Sequence, residues 1–150
     1  MQLILWRHAD AADGFPDLER PLTEKGLKQA ERMASFLRSR LPQDARILVS
    51  PAKRAQQTVH ALTKHFTTEP SIAPNCSVEA LLKAANWPDG DGCVLIVGHQ
   101  PVLGEAAALL LCASHASFSV KKGAIWWLTR RTDEGDFQTN LRLVISPDLL

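Results

Sequence analysis

Arg7-His8, Ser50 with Arg54, and Gly98-His99 each stand just beyond a short apolar run, and together they supply two imidazoles and two guanidinium groups. In open α/β sheets ligands bind outside the carboxyl ends of the strands, so chemistry is expected to collect at these positions. A guanidinium group presents a planar fork of donors that grips phosphate oxygens in pairs and stays cationic at any working pH. Two forks neutralise one phosphoryl dianion. Transfer of that group also needs a nucleophile in line with the leaving atom. A neutral imidazole can be that nucleophile, and a second, protonated imidazole would stabilise the equatorial oxygens. Spacing does not decide which of His8 and His99 takes which role. Taken singly, each motif reads as a polar turn or a solvated helix residue; their recurrence at three strand ends makes the functional reading the stronger one.

The elements that must position these residues are legible in the spacing of apolar positions. Gln2 to Trp6 is a buried strand feeding a polar loop, and Asp10 to Pro21, with Gly14, Pro16 and Pro21 among its acids, is loop chemistry. Thr23 caps a helix whose apolar positions are Leu27, Ala30, Ala34, Leu37 and Leu41, ending before Pro42. A second strand, Arg46 to Val49, leads to Ser50-Pro51, expected as N-cap and first residue of a helix carrying Ala55, Val59, Leu62 and Phe66. That helix start would add backbone donors and positive dipole to the Arg54 pocket. Thr67 to Gly92 is the least readable stretch, with a short helix at Val78 to Ala85. Cys93 to Val97 is a buried strand, followed after His99 and Pro101 by an Ala- and Leu-rich helix to about Cys112. Ala124 to Thr129 and Gln138 to Ile145, joined through Asp133-Glu134-Gly135, form an antiparallel hairpin at one sheet edge. Alternating strands and helices imply a three-layer α/β/α fold with a mainly parallel sheet, in one domain over residues 1–150.

The 150 residues, 45% apolar and 22% charged, can bury a core without metal or disulfide staples. Seventeen Lys plus Arg against sixteen Asp plus Glu leave a net charge of +1, which excludes a general attraction for nucleic acid or anionic membrane, so any anion site is local. Cys76, Cys93 and Cys112 are odd in number and lack a C-x-x-C pair, which argues against a disulfide framework or zinc and for small buried hydrophobes in a reducing compartment. The apolar run Leu3 to Trp6 is too short for a signal peptide, and nothing approaches a membrane span, so a soluble cytoplasmic protein is expected. A monomer is the expected state, though no residue pattern argues for it.

These motifs, taken together and in order, resemble the histidine phosphatase superfamily. The matching runs are Arg7-His8-Ala9, Arg20-Pro21-Leu22-Thr23 with Gly26, Val49-Ser50-Pro51 with Arg54, Gln57 and Thr58, and Val97-Gly98-His99. The small size and the Arg-Pro-Leu-Thr run are most similar to its phosphohistidine phosphatases. The resemblance implies a phosphoglycerate-mutase-like fold and His8 as the nucleophile that becomes phosphorylated. It implies a phosphate pocket of Arg7, Arg54 and His99, no metal or other cofactor, and phosphohistidine on a signalling phosphotransfer protein as substrate, with inorganic phosphate as product. Ala9 stands where the family motif has glycine, which restricts the backbone there.

The resemblance also implies a carboxylic proton donor from the region of Thr67 to Gly92, for which Glu79 is the candidate, with Asp10 and Asp13 behind it. Glu79 reads equally as a first-turn acid facing a helix dipole. Without such an acid, phosphoramidates are favoured, because a protonated imidazole leaves readily; with one, small phosphomonoesters become substrates. A phosphate-binding module without turnover is the third reading, and mutase activity is disfavoured because so short a chain has little material for a cap. Arg20 is a second candidate for the phosphate or a surface partner of Asp17 or Glu19, and Ser50 a candidate contact or a cap. His60, His65 and His115 lack metal-ligand spacing, and Trp126 and Trp127 are expected to face opposite sides of their strand.

Overall fold

The computed structural model describes residues 1–133 and 136–150. A six-stranded sheet of order β3-β2-β4-β1-β5-β6 carries the molecule. Its strands are β1 (Gln2–Arg7), β2 (Arg46–Val49), β3 (Thr67–Thr68), β4 (Cys93–Gly98), β5 (Ile125–Asp133) and β6 (Asp136–Ile145). The first four are mutually parallel, whereas β5 runs antiparallel to β1 and pairs with β6 in the edge hairpin. The helices are α1 (Glu24–Arg38), α2 (Lys53–His60), α3 (Val78–Ala84) and α4 (Val102–Cys112).

Side-chain alternation along the strands sorts the core into two layers. Leu3 and Leu5 of β1 and Val94 and Ile96 of β4 point to one side, where Leu81 of α3 and Leu103, Ala106 and Ala107 of α4 cover them. Ile4, Trp6, Leu95 and Val97 point to the other, against Met33 and Leu37 of α1 and Ala55 and Val59 of α2. Every residue of β4 is buried, as a central parallel strand covered on both faces must be. Trp127 is in the second layer, while Trp126 is partly buried against the first and stacks near Phe118, with ring centroids 5.1 Å apart.

Several local expectations need correction. The strand β3 is only two residues long and falls in the stretch that spacing leaves unreadable. On α1 the buried positions are Gly26, Ala30, Met33, Ala34 and Leu37, and Leu27 is 47% exposed. The helix is turned so that Gly26 meets the loop after β1: a Cβ there would lie 2.0 Å from the Asp10 carbonyl oxygen. Leu41 lies past the end of α1, and Leu62 and Phe66 past the end of α2. Ser50 does not cap α2; Ala52 takes the N-cap position without a side-chain bond, and Pro51 stays outside the helix. Cys93 is buried, Cys76 half-buried and Cys112 exposed. The Glu134-Gly135 part of the expected hairpin turn lies outside the described residues.

Candidate active site

Parallel pairing of β1 with β4 aligns Arg7 with Gly98, so the next residues, His8 and His99, emerge side by side at the carboxyl edge of the sheet. Here the chain order reverses: β1 leads away through α1 toward β2, and β4 returns between them. The two imidazole centroids are 5.2 Å apart and the rings are tilted by 53°. His8 Nδ1 lies 2.8 Å from the Ala9 carbonyl oxygen. A carbonyl can only accept, so Nδ1 carries the proton and Nε2 keeps its lone pair free. His99 Nε2 shares a 2.7 Å hydrogen bond with Ser50 Oγ. The same Oγ accepts from the Ala52 N–H at 3.2 Å, so the buried serine orients His99 and forms no part of the cavity wall.

The two histidines open on a cavity of about 330 Å³ that Arg7, Arg20 and Arg54 also line, with Asp13, Asp17, Asn75, Gln100 and Lys122 around them. Arg7 Nη1 donates to the Val120 carbonyl at 2.8 Å, which fixes the fork. Arg54 donates to the Asp17 carbonyl from Nη1 at 2.8 Å and to Asp17 Oδ2 from Nη2 at 3.2 Å. Arg20 donates to Asp17 Oδ1 at 3.0 Å and to the Ala12 carbonyl at 2.9 Å. One loop carboxylate therefore spans two cavity-lining guanidinium groups. Three buried side-chain nitrogens lack a partner among the described residues: Arg7 Nε, Arg54 Nε and His99 Nδ1. All three belong to this one cluster, where buried polar atoms without partners are costly unless a ligand meets them.

Burial is the main reason the His8 pKa falls to about 4, with Arg54, Arg7 and Arg20 pushing the same way and the Ala9 bond opposing them. Burial, then His8 and Arg54, lower His99 to about 3. Both rings are neutral at pH 7. The Asp17 carboxyl is held below its ordinary value, first by the bond from Arg20, with desolvation opposing it and Arg54 adding to the lowering. Asp10 is lowered by bonds from Lys122 and Thr23.

The loop that follows β1 is tied down on both sides. The Ala9 N–H donates to Thr58 Oγ1 at 3.0 Å, the Asp10 N–H to Gln29 Oε1 at 2.9 Å, and the Leu22 N–H to Gln57 Oε1 at 2.7 Å. Ala9 is fully buried and is not among the non-glycine residues with positive φ, so the side chain is accommodated without backbone strain.

Arg7, His8, Arg54, His99 and Arg20 are thus brought to one cavity, and Arg20 also makes the Asp17 pair. Glu79 is not. It lines a separate hollow of about 170 Å³ with Glu105, Ser114 and His115, because α3 packs on α4, away from the β1–β4 edge. Asp10 is held by Lys122 and Thr23 and does not line the cavity, whereas Asp13 does. Asn75 and Lys122 were not signalled by spacing. Asn75 sits in the unreadable stretch, in a left-handed conformation with φ 69°, and Lys122 in the turn before β5. Gln100 had one signal, its place next to His99. No group of three His, Cys, Asp or Glu side chains arranged to hold a metal occurs among the described residues. No helix there is long and apolar enough to cross a membrane.

Comparison with known proteins gives one direction. The family model described as histidine phosphatase superfamily (branch 1) matches residues 3–76. Phosphohistidine phosphatase SixA of Escherichia coli (strain K12) is 34% identical over 120 residues, covering 73% of this chain and 74% of that protein. A SixA homolog of Haemophilus influenzae is 32% identical over 126 residues, covering 73% and 77%. The solved structure of the protein histidine phosphatase SixA complexed with tungstate superimposes with a TM-score of 0.81 at 30% identity, over 99% of both chains.

Proposed function

This chain belongs to the histidine phosphatase superfamily, and on that premise we propose that it is a metal-independent phosphatase whose His8 accepts the phosphoryl group of a phosphohistidine protein of the signalling type. The neutral His8, with Nδ1 committed to the Ala9 carbonyl, directs the Nε2 lone pair at phosphorus. As the new P–Nε2 bond forms, the P–N bond to the substrate imidazole breaks, and that imidazole leaves carrying a proton. The forks of Arg7 and Arg54 hold the equatorial oxygens, Arg54 turning from Asp17 to the phosphoryl group, and His99 supplies the third contact. Water then attacks phosphorus from the face the leaving group vacated, the P–Nε2 bond breaks, and inorganic phosphate departs. Because guanidinium and imidazole groups carry the charge stabilisation, no step calls for a metal ion.

The observation that carries this reading is the convergence on one cavity of His8, with its free Nε2, and of Arg7, Arg54 and His99, each with a buried nitrogen that lacks a partner among the described residues. The tungstate of the similar solved protein is a tetrahedral oxyanion, which the same contacts would suit. Brief incubation with labelled phosphohistidine protein is expected to leave acid-labile label on the chain, and His8→Ala to abolish both label and turnover. Full turnover in that variant would remove His8 from the mechanism. Tungstate is expected to compete with substrate, and EDTA to change nothing. Asp13 on the cavity wall favours a second reading, hydrolysis of small phosphomonoesters with that carboxyl as acid. Loss of ester turnover but not phosphoramidate turnover in Asp13→Asn would support it.

A further inference from the structure

Helix α1, which ties down the loop after β1, carries a second surface that the reaction leaves unused. Lys25, Lys28 and Arg32 recur at i, i+3 and i+7 and lie exposed on one stripe of α1. They line a cleft of about 440 Å³, whose far wall is Pro147 and Asp148. Like charges three and four residues apart repel on a helix, so these three cations are not there to support one another. Only Lys28 has an ion pair, at 3.8 Å to the exposed Glu24; among the described residues Lys25 and Arg32 have none. The cleft reaches the catalytic edge through Gln29, which lines it while its side chain holds the Asp10 N–H two residues past His8. Lys122, paired with Asp10 at 2.8 Å, extends the positive charge to the cavity wall.

The rim also carries an apolar element. Phe15 is 97% exposed and Leu18 49% exposed, on the loop whose Asp13, Asp17 and Arg20 line the cavity. Phe15 and Leu18 together put an exposed apolar spot on the loop at the cavity rim, which a macromolecule could cover and a small metabolite seated at His8 could not. On a chain of net charge +1, three cations on one helix stripe are a local concentration of positive charge, with Glu24 and Asp148 as the acids of the same cleft.

We propose that the α1 stripe Lys25–Lys28–Arg32 and the exposed Phe15 form the docking face for an acidic protein that presents its phosphorylated side chain to the cavity. The occupant is a protein with a negatively charged surface around the phosphoryl group and an apolar spot to receive the ring. This rests on the phosphatase reading for its substrate but not for its binding surface. Electrostatic docking of this kind acts on encounter and falls with ionic strength.

Two carriers test it: an acidic phosphotransfer domain and the basic histone H4, each phosphorylated on histidine, with phosphoramidate as the small donor. The unsubstituted chain is expected to prefer the acidic carrier, with a KM that rises as salt is added. The Lys25→Glu/Lys28→Glu/Arg32→Glu variant is expected to raise that KM ~10-fold or more at low salt and flatten its salt dependence. Phe15→Ala is expected to raise it ~5-fold, in the range of one interface contact. Both variants should hydrolyse phosphoramidate as before. An unchanged KM for the acidic carrier in both would overturn the proposal, as would tighter binding of a DNA duplex or anionic vesicles than of the acidic domain. Phosphoramidate hydrolysis by the unsubstituted chain tests the phosphatase reading alone. Titration of the unphosphorylated acidic domain into the His8→Ala chain tests the docking face without turnover.

Discussion

At the scale of single residues, the site depends on shape as much as on charge. Arg7 is held by the Val120 carbonyl, so its guanidinium plane is oriented before any ligand arrives, whereas both Nη atoms of Arg54 are engaged by Asp17 until a ligand takes its place. Lysine keeps the charge and loses the fork. Arg7→Lys and Arg54→Lys are therefore each expected to lower kcat/KM ~100-fold, read by steady-state kinetics on phosphoramidate, the equivalent of roughly 3 kcal/mol of transition-state stabilisation. Asp17→Asn acts the other way on binding: it removes the carboxylate that occupies Arg20 and Arg54, so the inhibition constant of inorganic phosphate is expected to fall several-fold in competition assays. Arg7, His8 and His99 are legible in the sequence because they stand at the ends of apolar strands, and Arg54 because it follows the Ser50-Pro51 turn after another. The surroundings of Glu79 are not, because a short helix of ambiguous periodicity gives no sign of which sheet edge it will face. Asp17 could be read as a partner of Arg20, but its reach to Arg54 is a tertiary contact between a loop and a helix start that no local spacing encodes.

At the scale of elements, the loop after β1 and helices α1 and α2 form one interlocked unit. Gly26 permits the closest approach in it, since a Cβ would meet the Asp10 carbonyl oxygen at 2.0 Å. Gly26→Ala is expected to destabilise the fold despite alanine's better helix propensity, by ~1–3 kcal/mol from overpacking, measured by urea unfolding. It should also weaken turnover, because Asp10 lies two residues from His8. Long periodic elements were legible: β1, β4, α4 and the terminal hairpin all run within a few residues of their expected bounds. The rotation of α1 that exposes Leu27 was not, since Gly26 counts as neutral in a hydrophobic pattern and yet sits on the buried face. The cap of α2 departs from its expected place for a related reason. Ser50 is a good capping residue by type, but its hydroxyl bonds His99 and the Ala52 N–H instead.

At the scale of the whole molecule, neutral buried histidines couple the site to stability. The folded-state values of about 4 for His8 and about 3 for His99 lie below the ordinary 6.5. As pH falls through 6.5 the unfolded chain takes up protons that the folded chain refuses, so stability is full well above 6.5 and declines as pH falls through the window down to about 4 for His8 and about 3 for His99. Thermal unfolding midpoints are expected to drop across that window, and less so in His99→Gln. Ring NMR titration of His8 should show a midpoint at about pH 4, and a midpoint near 6.5 would contradict the burial argument. The three-layer architecture was legible from the alternation of strands and helices. The insertion of β4 between β1 and β2 was not, since strand order depends on long-range pairing.

The alignment of Arg7 with Gly98 has one more consequence. The separation of the two imidazoles, 5.2 Å between centroids, follows the pitch between neighbouring strands, roughly 4.8 Å. The ladder that fixes it is the most solvent-protected part of the polypeptide, so fraying of β3 or β6 at the margins leaves the catalytic spacing intact. Inactivation by urea should then coincide with global denaturation rather than precede it, and the amides of β1 and β4 should be the last to exchange with deuterium.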